Sequence, residues 1–272
     1  MHNILVGSKA FLKKAAKHIL TYHHRALTPT EQRHDDLYLV SYPKSGVTWL
    51  SFLMANIHLK MSGITREVNF YNISDFVPDI HSSRTLASEI RLFPWHRTIK
   101  SHSEFNPFYQ KVIYLVRDPR DVMVSYYFFL KGLGGFDGSL SELIHSRLLG
   151  ITAWCRHVQS WIEKTPVSVN IDFIRYEDLK ADTRNVLNRV YQHLGYKIPD
   201  DILAESIEVS SFENMKKLEK FYDFGGNMRF PDLEFVRKGQ SEGYKSDLSE
   251  EDISYINKTA KRWMSIFKYT GL

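Results

Sequence analysis

The chain has 272 residues, with 36 lysines and arginines against 31 aspartates and glutamates, which gives a formal net charge of +5. Its 43% hydrophobic and 25% charged residues exclude a disordered, collagen-like or coiled-coil chain as a whole. The single cysteine, Cys155, excludes an internal disulfide framework and favours a reducing compartment, so we expect a cytoplasmic protein. No run of 18 apolar residues occurs, so we expect no membrane-spanning helix.

Residues 1–30 are predicted to form a helical extension, and residues 31–272 a single domain. The extension is basic and amphipathic, and its lysines follow a short apolar run, which is the wrong order for a secretory signal peptide. We interpret it as an ordinary surface helix, with a helix that binds a membrane surface or a partner as the alternative.

Strands and helices alternate along the rest of the chain. Short apolar runs predict strands at residues 37–41, 98–100, 112–116 and 167–174. Helical patterns follow at residues 48–61, 119–131, 154–164, 178–194 and 249–267. This alternation predicts parallel βαβ units, and therefore an α/β fold with a single three-layer domain around a central parallel sheet.

Polar, chemically capable residues follow three of these strands, at residues 42–49, 100–102 and 117–125. Ligands of open parallel sheets bind beyond the carboxyl ends of the strands. The convergence of three such segments predicts a binding site at this edge of the sheet.

The first segment, residues 42–49, reads Tyr-Pro-Lys-Ser-Gly-Val-Thr-Trp between a buried strand and a helix. Backbone N–H groups at the start of a helix, with Lys44 beside them and the hydroxyls of Ser45 and Thr48, would suit a phosphate group. The Walker A pattern is not met, because no glycine precedes Lys44 at the required spacing. The alternative is an ordinary strand–turn–helix connection with a chance lysine.

Three further segments have residues suited to catalysis or anion binding, and each also has a purely structural interpretation. His102, at a strand end, is either a general base or a structural histidine. Arg117 with Ser125 suits a second phosphate, or else the arginines and aspartates of residues 117–121 pair with one another. The run Arg-Lys-Gly at residues 237–239 suits an anion, or else is a solvated basic loop.

In this order and spacing the segments resemble the cytosolic sulfotransferase family, whose donor is 3′-phosphoadenosine 5′-phosphosulfate (PAPS). The family's Tyr-Pro-Lys-Ser-Gly-Thr-Thr-Trp differs from this sequence only at Val47. Five further family motifs match: Lys-Thr-His at 100–102 (here Lys-Ser-His), Asp-Val-x-Val-Ser-Tyr-Tyr at 121–127, Tyr-Glu-Asp at 176–178, Ser-Phe-x-x-Met at 211–215 and Arg-Lys-Gly at 237–239. The resemblance covers about residues 38–245 and implies a P-loop-like sulfotransferase fold.

The resemblance implies in-line transfer of a sulfuryl group from PAPS to a hydroxyl or amine of a small-molecule acceptor, with the product PAP and no metal. It implies that His102 is the general base, that Lys44 stabilises the leaving oxygen and that Lys100 polarises the sulfuryl group. Ser125 is implied to restrain Lys44 and, with Arg117, to hold the 3′-phosphate. The other implied donor-binding residues are Ser45, Gly46, Val47, Thr48, Trp49, Tyr176, Ser211, Phe212, Met215, Arg237, Lys238 and Gly239.

The sequence departs from the family pattern after residue 239. Glu242 stands where the family has a second glycine, and Tyr244 replaces a tryptophan. The family's dimer motif is represented at most by Lys245, with Ser249 and Glu250 in place of Thr-Val, so the oligomeric state stays open.

The acceptor would be bound by segments between the donor motifs, namely Asn69–Pro78, Phe93, Phe105, 128–136 and 221–230. Their aromatic residues predict an aromatic or lipid-like acceptor, or else they belong to the core. Two other functions stay open at this point: a nucleotide phosphotransferase that needs magnesium, and a non-catalytic protein that binds an anionic nucleotide or polyanion. The clustering of cations at motif positions favours a pocket for one small ligand over a diffuse nucleic-acid surface.

Overall fold

The computed structural model describes residues 33–81, 96–221 and 242–269. Four parallel strands form one sheet in the order β2-β1-β3-β4. Their bounds are Leu37–Val40 (β1), Thr98–Ser101 (β2), Lys111–Val116 (β3) and Asn170–Arg175 (β4). Because β1 lies between β2 and β3, the segments that leave these three strands meet at one edge of the sheet.

The helices lie between and after these strands. They are α1 (Val47–Met61), α2 (Ile73–Phe76), α3 (Pro119–Gly132), α4 (Leu140–His145), α5 (Ile151–Lys164), α6 (Tyr176–Ala181), α7 (Thr183–His193), α8 (Asp200–Val209), α9 (Phe212–Phe221) and α10 (Glu250–Ile266). A 3₁₀ turn, Gly243–Ser246, precedes the last of them.

Successive side chains of β1 point to opposite faces of the sheet, as pleating requires. Leu37 and Leu39 pack in one apolar cluster with α1 and the helices α6 to α9. Tyr38 and Val40 pack in the other with α3, α4, α5 and α10. All four side chains are almost fully buried, which explains why β1 reads as a continuous apolar run. The predicted three-layer α/β fold with a central parallel sheet is confirmed.

The structure corrects two element predictions. The single helix predicted over residues 178–194 is wrong, because Asp182 leaves the helical conformation (φ −146°) and its carboxylate accepts the Asn185 N–H to begin α7. The fourth strand begins at Asn170 rather than at Val167, which is fully exposed. Four helices, α2, α4, α8 and α9, were not expected from the sequence.

The predicted helical extension at residues 1–30 lies outside the described residues, as do Phe93 and residues 222–241. Within residues 33–81, 96–221 and 242–269, no helix combines the length and the apolar character needed to cross a bilayer.

Candidate active site

The turn between β1 and α1 has an unusual backbone. Lys44 adopts a left-handed conformation (φ 68°) and so does Gly46 (φ 99°), directly before the first residue of α1. A Cβ atom at Gly46 would lie 2.5 Å from the Tyr176 ring, so only glycine fits there. A left-handed lysine is strained, and such strain is typical of a loop shaped for a ligand.

One side chain of this turn is buried without a hydrogen bond. Ser45 is 1% exposed, and its hydroxyl has no partner among the described residues. An unpaired buried hydroxyl costs about 1–3 kcal/mol. A ligand oxygen that accepted from Ser45 would remove this cost. The turn, with the N-terminus of α1 behind it, therefore fits a phosphate or phosphosulfate group.

Lys44 extends toward α3, where its ammonium lies 4.2 Å from the centre of the Phe129 ring. Ser125 precedes Phe129 by four residues, so the two side chains share one face of α3. The helix thus brings the predicted Ser125 to the same side as Lys44.

Arg117 and Tyr176 connect this turn to the ends of β3 and β4. The Arg117 guanidinium lies 4.6 Å from the centre of the Tyr176 ring and donates to the Lys44 carbonyl at 3.4 Å. Trp49, on the first turn of α1, packs edge-on against Tyr176 at 5.8 Å. The structure therefore brings together predicted donor-site residues from three separate motifs.

The arginines and aspartates of residues 117–121 form two ion pairs, as the structural alternative predicts. Arg120 donates to both carboxylate oxygens of Asp118, and its Nη2 also donates to the Tyr269 carbonyl at 3.0 Å. Arg117 is 3.9 Å from Asp121. Of the two arginines, Arg120 is committed to the interior, whereas Arg117 faces the turn.

The motif at residues 211–215 reaches the same region through its neighbour Ser210. The Trp49 indole donates to the Ser210 carbonyl at 2.9 Å, and Ser211 and Phe212 are half-buried at the start of α9. Met215 is 4% exposed and packs in the core beside α1. Arg237, Lys238 and Gly239 lie outside the described residues.

His102 stands one residue past β2 and is 4% exposed. Its Nδ1 is 2.7 Å from the Ser41 carbonyl, which can only accept, so Nδ1 carries the proton. Nε2 is then the nitrogen with the lone pair, as a general base requires. By the same argument His157 donates from Nε2 to the His102 carbonyl at 3.2 Å and accepts from Tyr114 through Nδ1.

Charged neighbours add to the effect of burial on His102. Burial, followed by the Lys100 ammonium, lowers the pKa of His102 well below its ordinary value. His81 also lowers this pKa, and Asp79 opposes both. The ring is therefore neutral at neutral pH and able to accept a proton.

Two residues of this arrangement were not expected from the sequence. Asp79 binds the Lys100 ammonium at 2.9 Å, and His81 accepts the His102 backbone N–H at 2.8 Å. Neither belongs to a matched motif, and the predicted acceptor segment stopped at residue 78. The only sequence signal is that two titratable residues, Asp79 and His81, closely follow the pair Val77-Pro78.

Glu242 stands where the family pattern has a glycine, and its backbone conformation shows the effect of this replacement. Glu242 has φ 60°, a left-handed conformation that glycine adopts without strain. Its N–H and that of Tyr244 both donate to the buried carboxylate of Asp121 at 2.9 Å. Tyr244, which stands where the family's sequence has a tryptophan, is buried, and its ring centre lies 4.5 Å from the Arg120 guanidinium.

The aromatic residues predicted to bind the acceptor divide between core and surface. Phe136 is buried in the core, and Phe105 packs on Trp161 at 5.5 Å. Phe128 is 38% exposed on α3, one residue before the ring that contacts Lys44. In the part of the chain that the structure describes, no cluster of three or more His, Cys, Asp or Glu side chains has the arrangement of a metal site.

The fold and the turn define an α/β protein of the kind that binds phosphate-bearing ligands beyond the strand ends. The family model of the sulfotransferase domain matches residues 34–268. The chain therefore belongs to the sulfotransferase family, and the prediction of a sulfotransferase is confirmed. It is 30% identical over 246 residues to Sulfotransferase 2A1 of Homo sapiens, covering 86% of this chain and 85% of that protein. It is also 30% identical over 202 residues to Sulfotransferase 1E1 of Bos taurus, covering 68% of each.

Solved structures show the same fold. Mouse sulfotransferase SULT7A1 complexed with PAP superposes with a TM-score of 0.61 at 22% identity, covering 86% of this chain and 84% of that one. Retinol dehydratase in complex with androsterone and PAP gives a TM-score of 0.63 at 22% identity, covering 93% and 85%.

Proposed function

We propose that the protein transfers the sulfuryl group of PAPS to a hydroxyl or amine of a small apolar acceptor, with His102 as the general base. The observation that carries the proposal is the meeting of two features at one sheet edge. One is the turn with a buried, unpartnered Ser45 hydroxyl. The other is a neutral His102 whose Nδ1 proton is committed to a carbonyl.

The residues of the turn fit the donor. The Ser45 and Thr48 hydroxyls and the first N–H groups of α1 would bind the 5′-phosphosulfate, and Lys44 would add a positive charge. Arg117 with Ser125 would bind the 3′-phosphate, and Trp49 with Tyr176 would border the adenine. Ser211, Phe212 and Met215, together with Arg237, Lys238 and Gly239, are assigned to the donor by their motifs. When bound, PAPS supplies the activated sulfuryl group and PAP is the leaving group.

The residues of the chain perform three tasks during transfer. His102 Nε2 takes the acceptor proton as the acceptor oxygen or nitrogen bonds to sulfur, which is typically worth about 10²–10⁴-fold in rate. Lys44 stabilises the charge that develops on the bridging oxygen as its bond to sulfur breaks. Lys100 lies two residues before His102 and polarises the sulfuryl group. Most of the remaining acceleration comes from holding donor and acceptor in line.

We infer the class of acceptor from the aromatic residues of α3. The Phe129 ring lies against Lys44 and Phe128 is 38% exposed, and retinol dehydratase, a structural neighbour, has been crystallised with retinol and with androsterone. Both are apolar molecules with one hydroxyl group. We therefore favour a hydrophobic alcohol or phenol as acceptor, in a soluble, cytoplasmic enzyme.

Calorimetric titration with PAP, and with ATP and magnesium as the comparison, tests the donor. We expect PAP to bind without any metal and more tightly than ATP. Labelled PAPS with a panel of phenols, hydroxysteroids, retinoids and aryl amines then tests the transfer. Absence of PAP binding would overturn the proposal, and magnesium-dependent turnover of ATP would support a phosphotransferase instead.

A further inference from the structure

We propose that Asp79 and His81 are positioning residues that together fix Lys100 and His102 for sulfuryl transfer. We call residues 78–81 the clamp segment. The proposal rests on the function proposed above and extends it, because neither residue belongs to a donor or acceptor motif of the sequence.

The clamp segment is attached to the edge of the sheet by its backbone. The Lys100 N–H donates to the Pro78 carbonyl at 2.8 Å, and the Ile80 N–H donates to the Lys100 carbonyl at 3.0 Å. These two bonds form a parallel bridge between Asp79 and Lys100. The segment therefore extends the sheet beside β2 at the level of the catalytic residues.

The two carboxylate oxygens of Asp79 accept one hydrogen bond from Lys100 and one from within the clamp segment. Oδ2 accepts from the Lys100 ammonium at 2.9 Å, and Oδ1 accepts from the His81 N–H at 2.9 Å. Both side chains of the ion pair are largely buried, at 14% and 15% exposure. Shielding from water makes the pair stronger than a surface ion pair, so it holds the lysine head in one place.

His81 extends the same constraint to His102. Its Nε2 accepts the His102 backbone N–H at 2.8 Å, and the two rings lie nearly parallel with centroids 6.0 Å apart. His157 bonds the His102 carbonyl, and the Ser41 carbonyl accepts from Nδ1. The backbone and ring of the base are thus held by three residues, one of them in the clamp segment.

The charges around His102 make the role of Asp79 measurable. Lys100, from β2, and His81, from the clamp segment, both lower the pKa of His102, and Asp79 is the anion that opposes them. His157, from α5, bonds the His102 carbonyl through Nε2 and accepts from the Tyr114 hydroxyl of β3 through Nδ1, so both groups meet His102 without a charge. Removing the Asp79 charge leaves the Lys100 ammonium uncompensated, so the pKa of His102 should fall further.

The first experiment compares Asp79→Asn with the wild type and with Asp172→Asn, using labelled PAPS with androsterone and 1-naphthol as probe acceptors. Asp172 is a matched control, because it pairs with Arg189 at 2.9 Å and its side chain is 14% exposed, as is that of Asp79. We expect D79N to lower kcat about tenfold or more and to move the acid limb of the pH profile of kcat/KM to lower pH. D172N should leave both unchanged.

PAP affinity, measured by calorimetry, separates this proposal from the proposed function. PAP carries no sulfuryl group, so its dissociation constant should stay within about twofold in D79N. A loss of stability with an unmoved acid limb and unchanged kcat would overturn the role of Asp79. If the wild type itself neither binds PAP nor transfers sulfuryl, the proposed function fails before the clamp is tested.

The second experiment compares His81→Gln with His81→Leu. The Gln carbonyl oxygen can still accept the His102 N–H, whereas Leu cannot. We expect H81Q to retain kcat within about threefold and H81L to lose about tenfold, each with an unchanged KM for PAPS. Equal kcat values in the two variants would overturn the role of His81.

Discussion

The two sides of the proposed site differ in how completely their central residues are bound. On the proposed acceptor side, the ring and backbone of His102 are bound by Ser41, His81 and His157. On the proposed donor side, the Ser45 hydroxyl is buried without a partner among the described residues, and Lys44 has a left-handed backbone. His102 is held by the fold alone, whereas the turn carries backbone strain and a hydroxyl whose hydrogen bond a nucleotide oxygen would accept.

Replacing the base should give the largest effect and should leave the donor side intact. His102→Ala removes the proton acceptor, so we expect turnover to fall by about 10²–10⁴-fold. The dissociation constant of PAP, measured by calorimetry, should change by less than about threefold. His193→Ala, an exposed position on α7, is the control. Near-normal turnover in H102A would exclude His102 as the base.

Replacing Lys44 should damage both binding and rate. Lys44→Ala removes the positive charge at the bridging oxygen, so we expect kcat to fall about 10²-fold and PAP to bind about tenfold more weakly. Arg262→Ala is the control, because its guanidinium also lies over an aromatic ring, that of Trp263 at 4.4 Å, on α10. An unaffected rate in K44A would contradict the leaving-group role.

Replacing Ser45 separates stability from binding. Without its buried hydroxyl, we expect Ser45→Ala to raise the free energy of unfolding of the free protein by about 1 kcal/mol. PAP should bind about tenfold more weakly, because the nucleotide loses a donor. Chemical denaturation and calorimetry measure the two quantities.

Ser51→Ala is the control for this variant, because Ser51 is equally buried but donates to the Val47 carbonyl at 2.8 Å. It should lose stability and keep its PAP affinity. A destabilised S45A with unchanged PAP affinity would show that the two sides of the site do not differ in this way.

Relieving strain beside the donor side should give the smallest effect. Glutamate at φ 60° costs about 1 kcal/mol relative to glycine, so we expect Glu242→Gly to raise the free energy of unfolding by about that amount. The exposed pair with Lys245 offsets little of this gain. Glu242→Ala keeps the Cβ atom and should show no gain. Equal stability of the glycine and alanine variants would contradict the strain.

Much of the site was predictable because its residues follow buried strands. The apolar runs of β1 and β3 and the turn chemistry around Lys44 and Arg117 are local signals, and parallel pairing then brings their ends together. One helix that was not predicted also has a local signal in the sequence. Ser139 and Glu142 form a capping box at the start of α4, a pattern visible in the sequence.

The partners of the base were not predictable in the same way. Asp79 and His81 reach Lys100 and His102 across 21 positions of chain, through a bridge that has no sequence signature. The split between α6 and α7 depends on the backbone of Asp182, which apolar periodicity alone does not reveal. Contacts between distant segments and single backbone angles thus account for these errors.

The bond from the Trp49 indole to the Ser210 carbonyl spans 161 positions of the chain. During synthesis the turn between β1 and α1 leaves the ribosome long before Ser210 exists. At about 5–20 residues per second, the interval between them is roughly 8–30 s. A nascent chain therefore carries the turn for that time without the contact that fixes the Trp49 indole.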